Sequence, residues 1–131
     1  DGFLMDLPRL IQPLEPAATR LPDWLEQACR EIVRPENFRR GTPAFADLAG
    51  RTPSHLARAT RRWLGRTPSD IVNAARMEFS AHQLITTNRP IVEIAFDCGL
   101  TNLSHFYALF RHAHGLSPRR YRLRATSLVS G

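Results

Sequence analysis

With 131 residues, 43% of them hydrophobic, the chain is one domain by size and holds enough apolar residues for a modest core. No run approaches the ~18 uninterrupted apolar residues of a membrane span, and none has the layout of a signal peptide, so a soluble, cytoplasmic protein is expected. The net charge of +6 is unevenly placed: residues 1–37 carry four arginines against seven acids and residues 38–131 fourteen against five, or −3 followed by +9.

The first 20 residues are read as an interdomain linker or the end of an upstream domain. Pro8, Pro13 and Pro16, with Pro22 just beyond, are too closely spaced for a long helix, and Phe3, Leu4, Met5 and Leu7 fit the close of a preceding fold. The chain starts at Asp1 without an initiator methionine, which fits a fragment whose upstream portion is left out. A first helix is expected from Pro22 or Asp23, with Trp24, Leu25, Ala28, Cys29, Ile32 and Val33 as its apolar stripe. Asp23 and Glu26 suit the positive end of its dipole, and Pro35 ends it.

Thr42-Pro43 then opens the first of two helix pairs, about 42–65, with threonine as cap and proline at the first helical position. Thr52-Pro53 repeats the device and opens a helix from Pro53 to Leu64. Leu56, Ala59, Thr60 and Trp63 face inward, Ser54, Ala57, Arg58, Arg61 and Arg62 face out, and His55 stands at the edge. The four arginines from Arg58 to Arg66 form a basic ridge suited to a phosphate backbone. Thr67-Pro68 opens the longest helix, about 68–86, with Ile71, Val72, Ala75, Met77, Phe79 and Leu84 giving it more than one apolar face. At 1.5 Å per residue it spans about 27 Å, enough to hold two reading units nearly one DNA turn, about 34 Å, apart.

Asn88, Arg89 and Pro90 break the chain before the second pair, about 91–115. Ile91, Ile94, Ala95 and Cys98 mark its first helix, ending at Gly99. Asn102 caps the second, which Gly115 stops; Phe106, Leu109, Phe110 and Ala113 form its apolar stripe, and Ser104, Tyr107, Ala108 and Arg111 lie opposite. Two short helices about a glycine turn, the second with a polar outer face, is the helix-turn-helix pattern. Ser117-Pro118 begins a last short helix in which Tyr121 packs and Arg119, Arg120, Arg122 and Arg124 stay exposed, followed by a frayed tail over residues 125–131.

An internal repeat strengthens the pattern. Phe45, Ala46, Ala49 and Gly50 match Ile94, Ala95, Cys98 and Gly99 at an offset of 49. Leu56, Ala59, Thr60, Gly65, Thr67 and Pro68 match Phe106, Leu109, Phe110, Gly115, Ser117 and Pro118 at an offset of 50, the extra residue falling in the turn. Every cation is arginine and no lysine occurs. Arginine suits bidentate contact with phosphate and guanine, though genome base composition also produces lysine-free chains.

From Leu21 to Arg124 the chain resembles the DNA-binding domain of the AraC/XylS family of bacterial transcription regulators. The likeness rests on Ile91, Glu93-Ile94-Ala95, Cys98-Gly99-Leu100, Asn102, Ser104-His105-Phe106, Leu109-Phe110-Arg111, Gly115, Ser117-Pro118 and Tyr121-Arg122, and in the first half on Leu56, Arg58, Gly65, Thr67-Pro68 and Ala75-Arg76. It implies an all-α fold of seven helices, with two helix-turn-helix units joined by a long helix, that binds double-stranded promoter DNA in two successive major grooves. Carried over by position, the base-contact candidates are Ser54, Ala57 and Arg58 in the first unit and Leu103, Ser104, Tyr107 and Ala108 in the second. The phosphate-contact candidates are Thr52, His55, Arg61, Arg62, Asn102, His105 and Arg111. Ala108 stands where many relatives have arginine, so Tyr107 and Leu103 are the residues to meet thymine methyls. Thr60 stands where many have phenylalanine, so Trp63 or a neighbour has to help fill that core.

Leu21 to Leu25 and Ala59 to Gly65 look most like regulators of chitobiose utilisation operons. That narrower likeness implies a cupin-like sensor domain upstream, which would bind the small-molecule effector. Apart from it, RNA polymerase is expected as a further partner and the DNA-binding fragment is expected to be monomeric.

Enzymatic and metal-binding readings are weaker. His112 and His114 lie two apart, on different faces of a helix, and His55, His82 and His105 have no cysteine or acid partner at ligand spacing. Cys29 and Cys98 fall on apolar stripes as buried free thiols, which weighs against a nucleophilic Cys98–His105 pair. No cofactor, metal or catalytic residue is expected. The rival of a different class is a basic helical adaptor for acidic protein surfaces; RNA binding lacks an aromatic sheet or a GXXG loop.

Overall fold

The computed structural model describes residues 20–130, with side chains as far as residue 127. The linker expected over residues 1–20 thus lies, apart from Arg20, outside the described residues. Eight helices lie among the described residues: α1 (Asp23–Ile32), α2 (Pro35–Phe38), α3 (Thr42–Ala49), α4 (Pro53–Leu64), α5 (Pro68–Thr86), α6 (Ile91–Asp97), α7 (Leu103–His114) and α8 (Pro118–Ser130). That is one more than the seven implied by the resemblance, and α2, a single turn, is the addition. Its Phe38 side chain is fully buried, and Asn37 Nδ2 donates to Glu31 O at 2.7 Å, so α2 folds back onto the end of α1.

Local chemistry sets the helix ends. Thr52 Oγ1 accepts the His55 N–H at 3.2 Å and Asn102 Oδ1 accepts the His105 N–H at 3.0 Å, so α4 and α7 have matching side-chain N-caps. Both stop at a left-handed glycine, Gly65 at φ 68° and Gly115 at φ 78°. Thr67 and Asp70 form a reciprocal capping box at the start of α5, each side chain accepting the other's backbone N–H at 3.1 Å. The start of α3 departs from expectation: Gly41, at φ 81°, is the N-cap, Thr42 is already helical, and no side chain caps the helix. Pro43 still lies in the first turn, where its missing N–H costs nothing. The last helix also passes Ala125 and runs to Ser130. No glycine or proline interrupts it before Gly131, and Thr126 Oγ1 donates back to Arg122 O at 3.0 Å.

The 19-residue α5 is the shared element, about 28 Å long at 1.5 Å per residue. It packs against α2, α3 and α4 on one side and against α6, α7 and α8 on the other. This explains why Ile71, Val72, Ala75, Met77, Ala81 and Leu84 are buried on more than one face of it. The first unit's core is Leu25, Ala28, Cys29, Ile32, Phe38, Phe45 and Leu56; the second unit adds Ile94, Ala95, Cys98, Phe106 and Phe110. Among the described residues no helix is long and apolar enough to cross a membrane.

Gly99 is required on two counts. Its φ is +99°, and a Cβ there would lie 2.7 Å from Arg39 O and 2.8 Å from Arg39 Cα, both main-chain atoms that cannot swing aside. Gly99→Ala is therefore expected to destabilise the domain by about 2–3 kcal/mol, from backbone strain plus overpacking. Urea denaturation should show this as a lowered midpoint with an unchanged slope, and a loss below half a kcal/mol would mean that the α6–α7 turn can move away from Arg39.

Candidate nucleic-acid interface

On α4, Leu56, Ala59, Thr60 and Leu64 are buried, while Ser54, Arg58, Arg61 and Arg62 are exposed and Ala57 is half-buried. On α7, Phe106 and Phe110 are buried, and Leu103, Ser104, His105, Tyr107, Ala108 and Arg111 are exposed. Each helix therefore turns its apolar side to the core and leaves the opposite side uncovered by the rest of the described chain. The two caps, Thr52 and Asn102, are exposed as well. Arg58, Arg61 and Arg111 have no ion pair among the described residues, and Arg62 lies over the Trp63 ring at 5.2 Å. Their charge is available to an outside anion.

The starts of the two helices open onto adjoining clefts. One is lined by Thr42, Pro43, Ala46, Pro53, Leu56, Pro68 and Ser69, at the beginnings of α3, α4 and α5. The other, about 350 Å³, shares Thr42, Pro43 and Ser69 and is completed by Gly41, Val72, Asn73, Arg76 and His105. The beginnings of α4 and α7 thus belong to one continuous side of the molecule. His105 forms part of the cleft wall between the units, a position that periodicity along α7 alone does not reveal.

Several side chains differ from their expected roles. Trp63 is half-buried and packs at the edge of the core, so Thr60 is accommodated by bonding its hydroxyl to Ala57 O at 3.1 Å. Ala113 is exposed, because the stripe of α7 narrows to Phe106 and Phe110 as Gly115 approaches. Arg66, counted in the basic ridge, is half-buried and lines a groove with Asp70 and His112. Arg122 is also half-buried: Nε donates to Leu84 O at 3.0 Å and Nη2 to Thr87 O at 3.2 Å, so it binds the carboxyl end of α5. Tyr121 packs as expected, with ring centroids 5.3 Å from Phe110 and 5.2 Å from His114.

Arg76 plays the corresponding part for the first unit. Its Nε and Nη2 donate to Phe38 O at 3.1 and 2.9 Å, at the end of α2. Burial lowers its pKa from the ordinary arginine value. His55 sets its ring edge on Trp24 at 5.6 Å, and Arg51 lies 4.4 Å over the same indole, which ties α1 to the start of α4. His55 is still exposed, so packing and phosphate contact are compatible there.

The thiols are poor nucleophiles. Cys29 is fully buried, and burial pushes its pKa up to about 12. Cys98 is fully buried, its Sγ donates to Ala95 O at 3.2 Å, and burial again raises its pKa, whereas His105 sits on the exposed surface.

Comparison with known proteins agrees with this fold. The family described as a helix-turn-helix domain matches residues 45–124. The chain is 33% identical over 99 residues to the HTH-type transcriptional activator RhaS of Escherichia fergusonii, covering 76% of this chain and 33% of that protein. It is 32% identical over 76 residues to the xylose operon regulatory protein of Escherichia coli K12, covering 58% of this chain and 19% of that protein. Among solved structures it is similar to the C-terminal domain of AraT, a response regulator from Geobacillus stearothermophilus, with a TM-score of 0.70 and 28% identity over 81% of this chain and 88% of that one. The chain spans 33% of the one curated relative and 19% of the other.

Proposed function

The chain belongs to the AraC/XylS family of helix-turn-helix DNA-binding domains, and on that premise we propose that α4 and α7 read one promoter duplex in two successive major grooves. The observation that carries the reading is the pair of capped helices, each with an uncovered face, whose beginnings share one side of the molecule. Base recognition falls to Ser54, Ala57 and Arg58 on α4 and to Leu103, Ser104, Tyr107 and Ala108 on α7. Thr52, His55, Arg61, Arg62, Asn102, His105 and Arg111 hold the backbone on either side. Affinity comes mainly from the arginines and specificity from the two outward faces.

The whole protein, in this reading, is a cytoplasmic regulator of a sugar-utilisation operon that acts as an activator. Likeness to a xylose operon regulatory protein and to a transcriptional activator supports that assignment. The narrower assignment to chitobiose rests on Leu21 to Leu25 and Ala59 to Gly65 alone. An upstream domain binding the effector and a contact with RNA polymerase complete the proposal, with no cofactor in this domain.

A gel shift with promoter DNA and excess nonspecific competitor tests it. A sequence-selective band is expected, and its absence would favour an adaptor for acidic protein surfaces. In the same assay Arg58→Ala should lower discrimination at one or two base pairs by about 1–3 kcal/mol each. Uniform weakening on all sequences would make Arg58 a backbone contact.

A further inference from the structure

Two reading helices on one shared helix are useful only if the second cannot swivel against the first. Between α5 and α6 lie four residues outside any helix, Thr87, Asn88, Arg89 and Pro90, so the covalent link alone does not set the angle. A bonded cluster lies at the joint. Arg39, just past α2 in the first unit, donates from Nε to Asp97 O and from Nη2 to Asp97 Oδ1 at 2.9 Å. The other carboxylate oxygen, Oδ2, accepts from Arg89 Nη1 at 3.0 Å, and the same Nη1 reaches Gln83 Oε1 on α5 at 3.2 Å. Asp97 is the last residue of α6, two positions before Gly99, whose missing side chain lets the Arg39 main chain approach. Arg39 is held at its other side as well, its guanidinium 5.9 Å over the Phe79 ring and its neighbour Phe38 O bound by Arg76.

We propose that Asp97 is a positioning residue for DNA recognition: by joining Arg39 of the first unit to Arg89 of the α5–α6 connection, it sets the rotation of α7 relative to α4 and hence the half-site spacing the domain accepts. The proposal rests on the reading that both helices enter one duplex. The side chains of Arg39 and Asp97 are 39% and 30% exposed, so the pair adds little to folding stability. Its leverage is geometric. Twelve-residue α7 is about 18 Å long, and a rotation of about 10° at its base moves the far end by about 3 Å, close to the ~3.4 Å rise of one base pair.

The test uses Asp97→Ala and, as an independent disruption that keeps an aliphatic side chain but removes the guanidinium, Arg39→Met. Spin labels at Ser54→Cys and His112→Cys, both exposed while Cys29 and Cys98 are buried, report the distance between α4 and α7 by pulsed electron resonance in the free protein. A narrow distribution is expected for the parent and a broadened or shifted one for both variants; unchanged distributions overturn the proposal. On duplexes carrying two half-sites at the selected spacing and at one base pair more or less, the parent should prefer one spacing at least tenfold. Both variants should reduce that preference to under threefold while holding a single half-site as well as the parent does. Equal weakening at every spacing overturns the proposal. Broadened distances in a protein whose parent selects no duplex sequence leave the joint as described and overturn the DNA reading instead.

Discussion

Phe110→Ala is expected to cost about 3–5 kcal/mol, a large share of the ~5–15 kcal/mol that holds a domain of this size together. Phe110 is fully buried, and its ring centroid lies 6.0 Å from Phe106, 4.6 Å from His114 and 5.3 Å from Tyr121. Removing it opens a cavity between α7 and α8. The matching position in the first unit is Thr60, and the first unit does not depend on it in the same way, because α1, Phe38 and Phe45 supply its bulk. Urea denaturation followed by tryptophan fluorescence and by near-ultraviolet dichroism should show an early transition confined to the second unit, since Trp24 and Trp63 both report on the first. A loss below about 1 kcal/mol would mean that the second unit is held by α5 and α8 without its aromatic centre.

The second large effect is on affinity. Arg58, Arg61, Arg62 and Arg111 are the exposed cations on the two outward faces, and none is committed to an acid among the described residues. If Arg61, Arg62 and Arg111, the three assigned to the backbone, each neutralise one phosphate, the logarithm of the association constant should fall with the logarithm of salt concentration at a slope of about −2.7, or about 40-fold for a fourfold rise in salt. Replacing Arg61 or Arg62 with alanine should reduce the slope by about 0.9 and weaken all sequences alike. Titrations at several salt concentrations measure this directly; a slope near zero would move binding away from these faces.

Most helix boundaries were legible because they are written in short-range chemistry. Thr52-Pro53, Thr67-Pro68 and Asn102 announce helix starts through caps, and Gly65 and Gly115 announce stops through left-handed backbone. Ala57, Trp63 and Ala113 aside, burial follows the helical period on α4 and α7, so the period itself marks the outward residues. The roles of Arg39, Arg76, Arg89 and Arg122 could not. Arg76 and Arg122 each bind a carbonyl 38 residues away, and Arg39 meets an acid 58 residues away, so nothing in their local sequence separates them from solvated arginines. Four of the fourteen arginines in residues 38–131 thereby belong to internal structure. The single turn of α2 leaves no periodic signal for a related reason. Its Phe38 is buried by α5 rather than by any pattern of its own, and four residues are too few to show a period.

The central proposition, that one helix holds two readers in register with a duplex, is tested most directly by selecting binding sites from random double-stranded DNA. The expected result is an enriched motif with two unlike blocks whose centres lie about 10–10.5 base pairs apart, α4 and α7 each reading one. Enrichment of a single short block, or of two blocks with variable separation, would contradict it.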